Sequence, residues 1–98
     1  MQAWQQRLIN TVKYQLCDHV SLTEIDGEAI LLDMDTGTFF GLNHVGAQFL
    51  SALQANQTYE TASSNVAKHY QVNLVTASSD LKILLNQLLD ENLIQERA

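Results

Sequence analysis

The clearest pattern of apolar and polar positions is a series of short segments near the middle of the chain. Apolar and polar residues alternate over residues 20–25, which is the spacing of a half-buried strand. Asp26-Gly27 follows, and this dipeptide favours a two-residue hairpin turn because Gly adopts positive φ without steric cost. Residues 28–33 and 38–42 have the composition of two further strands. The pattern therefore predicts an antiparallel meander of three strands.

Three helical segments follow the predicted strands. Asn43 is a good N-cap because its side chain can accept a backbone N–H of the next turn, and a first helix is predicted over residues 44–53. Gly46 lies inside that helix at a cost of about 1 kcal/mol relative to Ala, which predicts close approach of the sheet backbone. Apolar spacing predicts a second helix over residues 59–69 and a third over residues 73–91.

The third predicted helix carries more apolar surface than one small sheet needs. On a helical wheel its apolar residues cover a stripe about 140° wide. The stripe consists of Leu74, Ala77, Leu81, Leu84, Leu85 and Leu88. One flank of this stripe is therefore predicted to remain available after the core has packed.

The order of the elements predicts the fold class. Three strands followed by three helices indicate an α+β fold, winged helix-turn-helix-like, with a three-stranded antiparallel sheet. Residues 19–98 are interpreted as this domain, and residues 93–94 as its short extended tail. Residues 1–18 are interpreted as an N-terminal extension, with a short helix predicted over residues 3–10. The spacing of its apolar residues is ambiguous, since Val12, Tyr14 and Leu16 alternate like a strand.

Composition and charge narrow the classes of function. The chain has 98 residues, of which 46% are hydrophobic, enough for one domain with a modest core. Its net charge is −6. The five cationic residues are scattered: Arg7, Lys13, Lys68, Lys82 and Arg97. Because phosphate backbones are bound by clustered cations, a nucleic-acid partner is disfavoured.

Targeting signals and cysteine content suggest the compartment. No apolar run approaches the roughly 20 residues of a membrane span, so no membrane partner is expected. The N-terminus lacks the zones of a signal peptide. Cys17 is the only cysteine, which excludes an internal disulfide and a cysteine metal cage. These features favour a cytoplasmic protein.

The sequence shows no set of residues for catalysis or for binding a metal or cofactor. Neither ligand spacing nor an acidic partner accompanies the three histidines, which are His19, His44 and His69. Cys17 has no motif that would pair it with a histidine base. Asp33 and Asp35 flank a predicted turn, which explains them better than paired-carboxylate catalysis does. We therefore expect no catalytic residue, no metal and no cofactor.

A combination of short motifs in the central segment is similar to a known family. The motifs are Leu31-Leu32-Asp33, Thr36-Gly37, Phe39-Phe40, Leu42-Asn43, and Gly46 with Phe49-Leu50. In this combination the chain resembles the PqqD-like leader-peptide-binding domains, also called RiPP recognition elements. These include the small stand-alone subunits of lasso-peptide biosynthesis. The resemblance covers about residues 20–95.

The resemblance implies a non-catalytic adaptor. Such domains bind the leader segment of a ribosomally made precursor peptide as an added antiparallel strand on the third strand. Leader side chains then enter a groove between that strand and the third helix. The implied peptide-binding residues are Thr38, Phe39, Phe40, Gly41, Leu42, Asp80, Leu81, Leu84, Leu85 and Leu88.

The resemblance also implies partners. The precursor peptide is one, and a modifying enzyme is the other. Lasso maturation would require a cysteine protease with an ATP-dependent cyclase, while a radical-SAM enzyme is equally compatible with the domain.

Several residues remain open between core and groove. Phe39 and Phe40 point to opposite faces of one strand, so at least one is expected in the core. Leu81 and Leu85 lie near the centre of the leucine stripe, and Leu84 lies nearer its flank, as does Leu88. A proline at Thr38 is expected to weaken leader binding if that N–H faces outward.

Two rival functions of different classes also remain open. The strand and helix order permits a winged-helix DNA-binding regulator, which is the alternative function, although the acidic charge argues against it. A dimerisation module would self-associate through the same sheet edge. Fold analogy alone does not decide among these, because one scaffold hosts many functions.

Overall fold

The computed structural model describes residues 12–97. The helix predicted over residues 3–10 lies outside these described residues. Between residues 12 and 97 the elements are β1 (Tyr14–Leu16), β2 (Val20–Ile25), β3 (Glu28–Asp33), β4 (Thr38–Leu42), α1 (His44–Gln54), α2 (Tyr59–Tyr70), α3 (Leu74–Asp90) and β5 (Ile94–Glu96).

The main sheet is the predicted meander. Its strand order is β2-β3-β4, and both pairs are antiparallel. Ile25 pairs with Glu28 across the first turn. Asp26 and Gly27 form that turn with φ values of 52° and 83°, as a two-residue hairpin with primed geometry requires. The α+β class with a three-stranded antiparallel sheet and three helices is therefore confirmed for the described residues.

A second, two-stranded sheet joins the two ends of the described chain. β1 pairs antiparallel with β5, and Leu16 lies opposite Ile94. The backbone N–H of Arg97 donates to the carbonyl of Lys13 at 2.7 Å. The sequence predicted that the tail is extended but did not predict its partner. This pairing joins the end of the predicted N-terminal extension to the domain.

Side-chain caps begin the helices where the sequence predicted them. Asn43 Oδ1 accepts the N–H of Gly46 at 2.9 Å, and α1 starts at the next residue. Thr58 and Asn73 cap α2 and α3 in the same way. Each cap satisfies backbone donors that a helix start leaves without an intrahelical partner.

The helices cover one face of the main sheet, and the core lies between them. Leu31 of β3 and Phe49 of α1 are completely buried, and the ring of Tyr59 packs edge-on against Phe49. Leu88 of α3 is also completely buried. None of the helices described between residues 12 and 97 is long and apolar enough to cross a membrane.

Candidate functional site

The open edge of β4 is the first component of the candidate site. β4 pairs with β3 on one side, and no strand described between residues 12 and 97 pairs with its other side. The N–H of Met34 donates to the carbonyl of His19, towards β2. Because backbone groups alternate in direction along a strand, those of Asp33 point towards β4. The same alternation leaves the N–H groups of Phe39 and Gly41 pointing to the open edge.

Thr38 does not offer an outward N–H group. It pairs with Asp33, whose backbone groups face β4. Its N–H also lies 3.3 Å from the Oγ1 atom of Thr36. Thr38→Pro is expected to weaken leader binding only if the Thr38 N–H faces outward, and it does not. A proline there would disturb the β3–β4 ladder rather than the open edge.

A groove between β4 and α3 is the second component. Its volume is about 440 Å³. Six of the ten predicted site residues line it: Phe40, Gly41, Leu42, Asp80, Leu81 and Leu84. Asn43, Val45, Gly46 and Gln87 complete its lining. The sequence did not assign these four residues to the site, although the N-cap at Asn43 places the start of α1 beside the end of β4.

The other four predicted residues do not line this groove. Leu85 and Leu88 are 2% and 0% exposed and belong to the core. The carbonyl of Leu88 accepts the N–H of Leu93, so the chain turns back over this end of α3. The leucine stripe therefore faces the groove only over its earlier turns, where Leu84 is half-buried.

The two phenylalanines of β4 lie on opposite faces of the sheet, as predicted. Phe40 is half-buried and pairs with Leu31 on the core side. Phe39 is 72% exposed on the outer face. Its backbone belongs to the open edge, whereas its side chain lies outside the groove.

Gly46 shapes the floor of the groove. A Cβ atom at this position would lie 3.2 Å from Cδ2 of Leu42 and 3.4 Å from Cδ2 of Leu84. The close approach predicted from this glycine is real, but it involves these side chains and not the sheet backbone. The missing side chain lets both leucines rest against α1.

The groove is mostly apolar and carries one formal charge. Among its lining residues only Asp80 is ionisable, and its side chain is exposed at the rim. The histidine–carboxylate contacts found among residues 12–97 are His19 with Asp33 and His44 with Glu28, both outside the groove. A bound peptide would therefore meet apolar walls and one carboxylate.

The residues beyond the groove include one possible metal-binding group. Ligand atoms of His19, Asp33 and Asp35 lie within 4.8 Å of one another. The Oδ1 atom of Asp33 already accepts the N–H groups of Asp35 and Thr36, at 2.9 and 3.2 Å. These two hydrogen bonds belong to the turn predicted at Asp33, and they already occupy this carboxylate oxygen.

Two pKa shifts occur near β1, away from the groove. Burial raises the pKa of the Cys17 thiol, and the nearby charges of Asp18 and Asp33 raise it further. Burial and the charges of Glu96 and Glu60 raise the pKa of Tyr14. Neither group lines the groove.

Comparison with known proteins places this site in a family. Residues 28–94 match the family described as coenzyme PQQ synthesis protein D (PqqD), and this range contains β4, α3 and the whole groove. The chain belongs to the PqqD family, and the resemblance found in its sequence is confirmed. No curated protein matches the chain.

Two solved structures share the fold. One is described as TbiB1 in complex with the TbiA(beta) leader peptide: it is 32% identical, and the match covers 86% of this chain and 98% of that one, with a TM-score of 0.77. The other is a lasso peptide synthetase B1 complexed with the leader peptide, 20% identical over 85% of this chain and 98% of that one, also with a TM-score of 0.77. At its lower identity the second shows the fold alone.

Proposed function

We propose that this protein is a non-catalytic adaptor that binds the leader segment of a ribosomally made precursor peptide and presents it to a modifying enzyme. The observation that carries the proposal is the open edge of β4 lying directly beside an apolar groove. Membership of the PqqD family supports it, as does the leader peptide bound to TbiB1.

The proposed docking mode is the addition of a strand to β4. An extended leader segment would accept hydrogen bonds from the N–H groups of Phe39 and Gly41 and would donate to their carbonyls. Alternate leader side chains would then point into the groove, against Leu81 and Leu84. Each buried apolar side chain contributes about 1.5–3 kcal/mol, which offsets part of the cost of ordering a flexible peptide.

The direction of the bound leader follows from antiparallel pairing. The leader would pass Leu42 first and Thr38 last, because it runs opposite to β4. Its C-terminal side, which continues into the segment to be modified, would leave the domain near the β3–β4 turn. The proposed adaptor therefore holds the leader and leaves the downstream segment free.

The partners and setting are part of the same proposal. The modifying enzyme would be a cysteine protease acting with a cyclase, or a radical-SAM enzyme. A ribosomally made precursor is available where it is translated, so we place the complex in the cytoplasm. We also keep the winged helix-turn-helix description of the fold as a proposal, because three helices accompany a small antiparallel sheet.

A direct titration tests the proposed function. A fluorescently labelled leader from the precursor gene adjacent to this one should bind the full chain at or below about 1 μM. A leader of the same composition with its residues scrambled is the control, since it keeps charge and mean hydropathy but loses the alternation. No binding at about tens of micromolar by a protein whose circular dichroism shows the fold would reject the proposal.

A further inference from the structure

The outer face of the main sheet carries a cluster of exposed apolar side chains that the proposed leader site does not use. Strand alternation places Ile25, Ile30 and Phe39 on this face, opposite the helices. They are 56%, 39% and 72% exposed. We call these three residues the outer patch. None of the helices described for residues 12–97 covers it, because they pack against Leu31 and its neighbours on the inner face.

The chain segment that carries the outer patch is acidic. Residues 18–42 contain six carboxylates and neither lysine nor arginine. The six are Asp18, Glu24, Asp26, Glu28, Asp33 and Asp35. Strand alternation puts Glu24 and the buried Asp33 on the inner face, so they do not border the patch. Glu28 pairs with Ile25 on the outer face itself, and its side chain is 59% exposed. The nearest cationic residues along the chain are Lys13 and Lys68, so the segment has one sign of charge.

We propose that the outer patch is the docking surface for the modifying enzyme, which would meet it with an apolar centre rimmed by lysine and arginine. This inference rests on the proposed adaptor function, since it assigns a surface to the second partner. Charge complementarity favours such a partner over a second copy of this chain. Two copies meeting through the outer patch would place Glu28 of each copy in the same interface, and each copy has a net charge of −6.

The position of Phe39 connects the two proposed surfaces. Its backbone lies at the open edge, where the leader would pair, while its side chain belongs to the outer patch. A leader strand added to β4 would extend the outer face by one strand. Alternate leader side chains would face the groove, and the others would lie beside Phe39. An enzyme on the outer patch would therefore contact the adaptor and the outward leader side chains together.

A double substitution tests the outer patch without touching the groove. Ile25→Thr with Ile30→Thr removes apolar surface and keeps β-branched residues in β2 and β3. Both positions are separated from the leader position by β4. The purified modifying enzyme encoded beside this gene is the probe, immobilised for biolayer interferometry. We expect its affinity for the variant to fall at least roughly tenfold, while affinity for the labelled leader changes by less than about twofold.

Two further variants make the test specific. Val75→Thr is the control, because Val75 is 77% exposed on α3, away from the sheet, and the substitution likewise replaces an exposed β-branched apolar residue with threonine. Glu28→Lys reverses a charge beside the patch and should also weaken the enzyme complex at low salt, with a smaller effect at high salt.

Each of several results would overturn the inference. The first is that both patch variants bind the enzyme within about twofold of the unsubstituted protein. The second is that Val75→Thr loses as much enzyme affinity as the patch variants do. The third is that the unsubstituted protein does not bind the enzyme. Concentration-dependent dimers in analytical ultracentrifugation that disappear in the double variant would assign the patch to a second copy instead. If the unsubstituted protein does not bind the leader, the proposed function itself is rejected. That result is separate, because leader binding is measured without the enzyme.

Discussion

Leu84 and Leu88 lie one turn apart on α3 but in different surroundings. Leu84 is half-buried in the wall of the groove, whereas Leu88 is completely enclosed by the core. We expect Leu84→Asp to weaken leader binding at least roughly tenfold with a small fall in melting temperature, because the new carboxylate remains in contact with water. The paired measurements are leader affinity and thermal unfolding of the same variant.

Leu88→Ala is the matched control for that prediction. Removing a completely buried leucine leaves a cavity, so the free energy of unfolding should fall by about 2–5 kcal/mol. Leader affinity of the remaining folded protein should stay near its original value. If Leu84→Asp instead loses its fold, or keeps normal leader affinity, Leu84 does not belong to the proposed site.

Cys17 gives a prediction about pH. Burial, followed by the charges of Asp18 and Asp33, raises the pKa of its thiol. Because the thiolate is the reactive form, alkylation by iodoacetamide at about pH 8 should be slower in the folded protein than in denaturant. The raised pKa means that the folded state keeps the proton longer than the unfolded state. The stability from this group is therefore complete below the unfolded pKa and is lost as pH rises through the folded pKa.

Mass spectrometry measures the alkylation rate of Cys17 in the folded protein and in the denatured protein in parallel. The folded rate should approach the denatured rate only when the pH rises above the raised pKa of the folded Cys17 thiol. Equal rates at about pH 8 in folded and denatured protein would contradict the prediction.

At the scale of the element, β4 has two sets of backbone amides. Those of Phe40 and Leu42 face β3, and those of Phe39 and Gly41 face the open edge. Without leader we expect fast hydrogen exchange at Phe39 and Gly41, and slow exchange at the other two. Leader should slow exchange at Phe39 and Gly41. Unchanged exchange at both positions in a leader-saturated sample would exclude β4 as the docking strand.

A pair of proline variants tests the same alternation in a second way. Gly41→Pro removes an outward N–H from an edge strand, so the fold should survive while leader affinity falls. Phe40→Pro removes an N–H that faces β3 and should lower the melting temperature strongly. Equal effects of the two variants on stability would show that the alternation is assigned incorrectly.

Local signals in the sequence predicted the elements that build the groove, and non-local contacts determined the rest. The cap at Asn43 and the turn at Asp26-Gly27 depend on residues only a few positions apart, and both were predicted. A helical wheel treats Leu84 and Leu88 alike, since it does not contain the chain that folds back over the end of α3. The outward N–H at Gly41 depends on strand register, which side-chain type alone does not determine.

At the scale of the whole molecule, β5 pairs with β1, so the two ends of the described residues 12–97 are held together. Ile94 is 3% exposed and lies opposite Leu16 of β1. We expect Ile94→Ala to lower the free energy of unfolding by about 2–5 kcal/mol, since it leaves a cavity at a contact between distant parts of the chain. Leader affinity of the folded fraction should be unchanged, because Ile94 does not line the groove.

Chemical denaturation followed by circular dichroism measures that change. Gln95→Ala is the control, because Gln95 is an exposed neighbour in the same strand. A similar loss of stability in both variants would mean that the strand pairing, and not the buried side chain, carries the effect.

The hydrogen bond between Arg97 and Lys13 brings the two ends of the described chain to one place. A domain whose ends meet can be spliced into a surface loop of another protein without stretching either sequence. The groove and the outer patch would be unchanged by such an insertion. The same domain could therefore serve as a separate subunit or as a domain inserted into an enzyme through two short linkers.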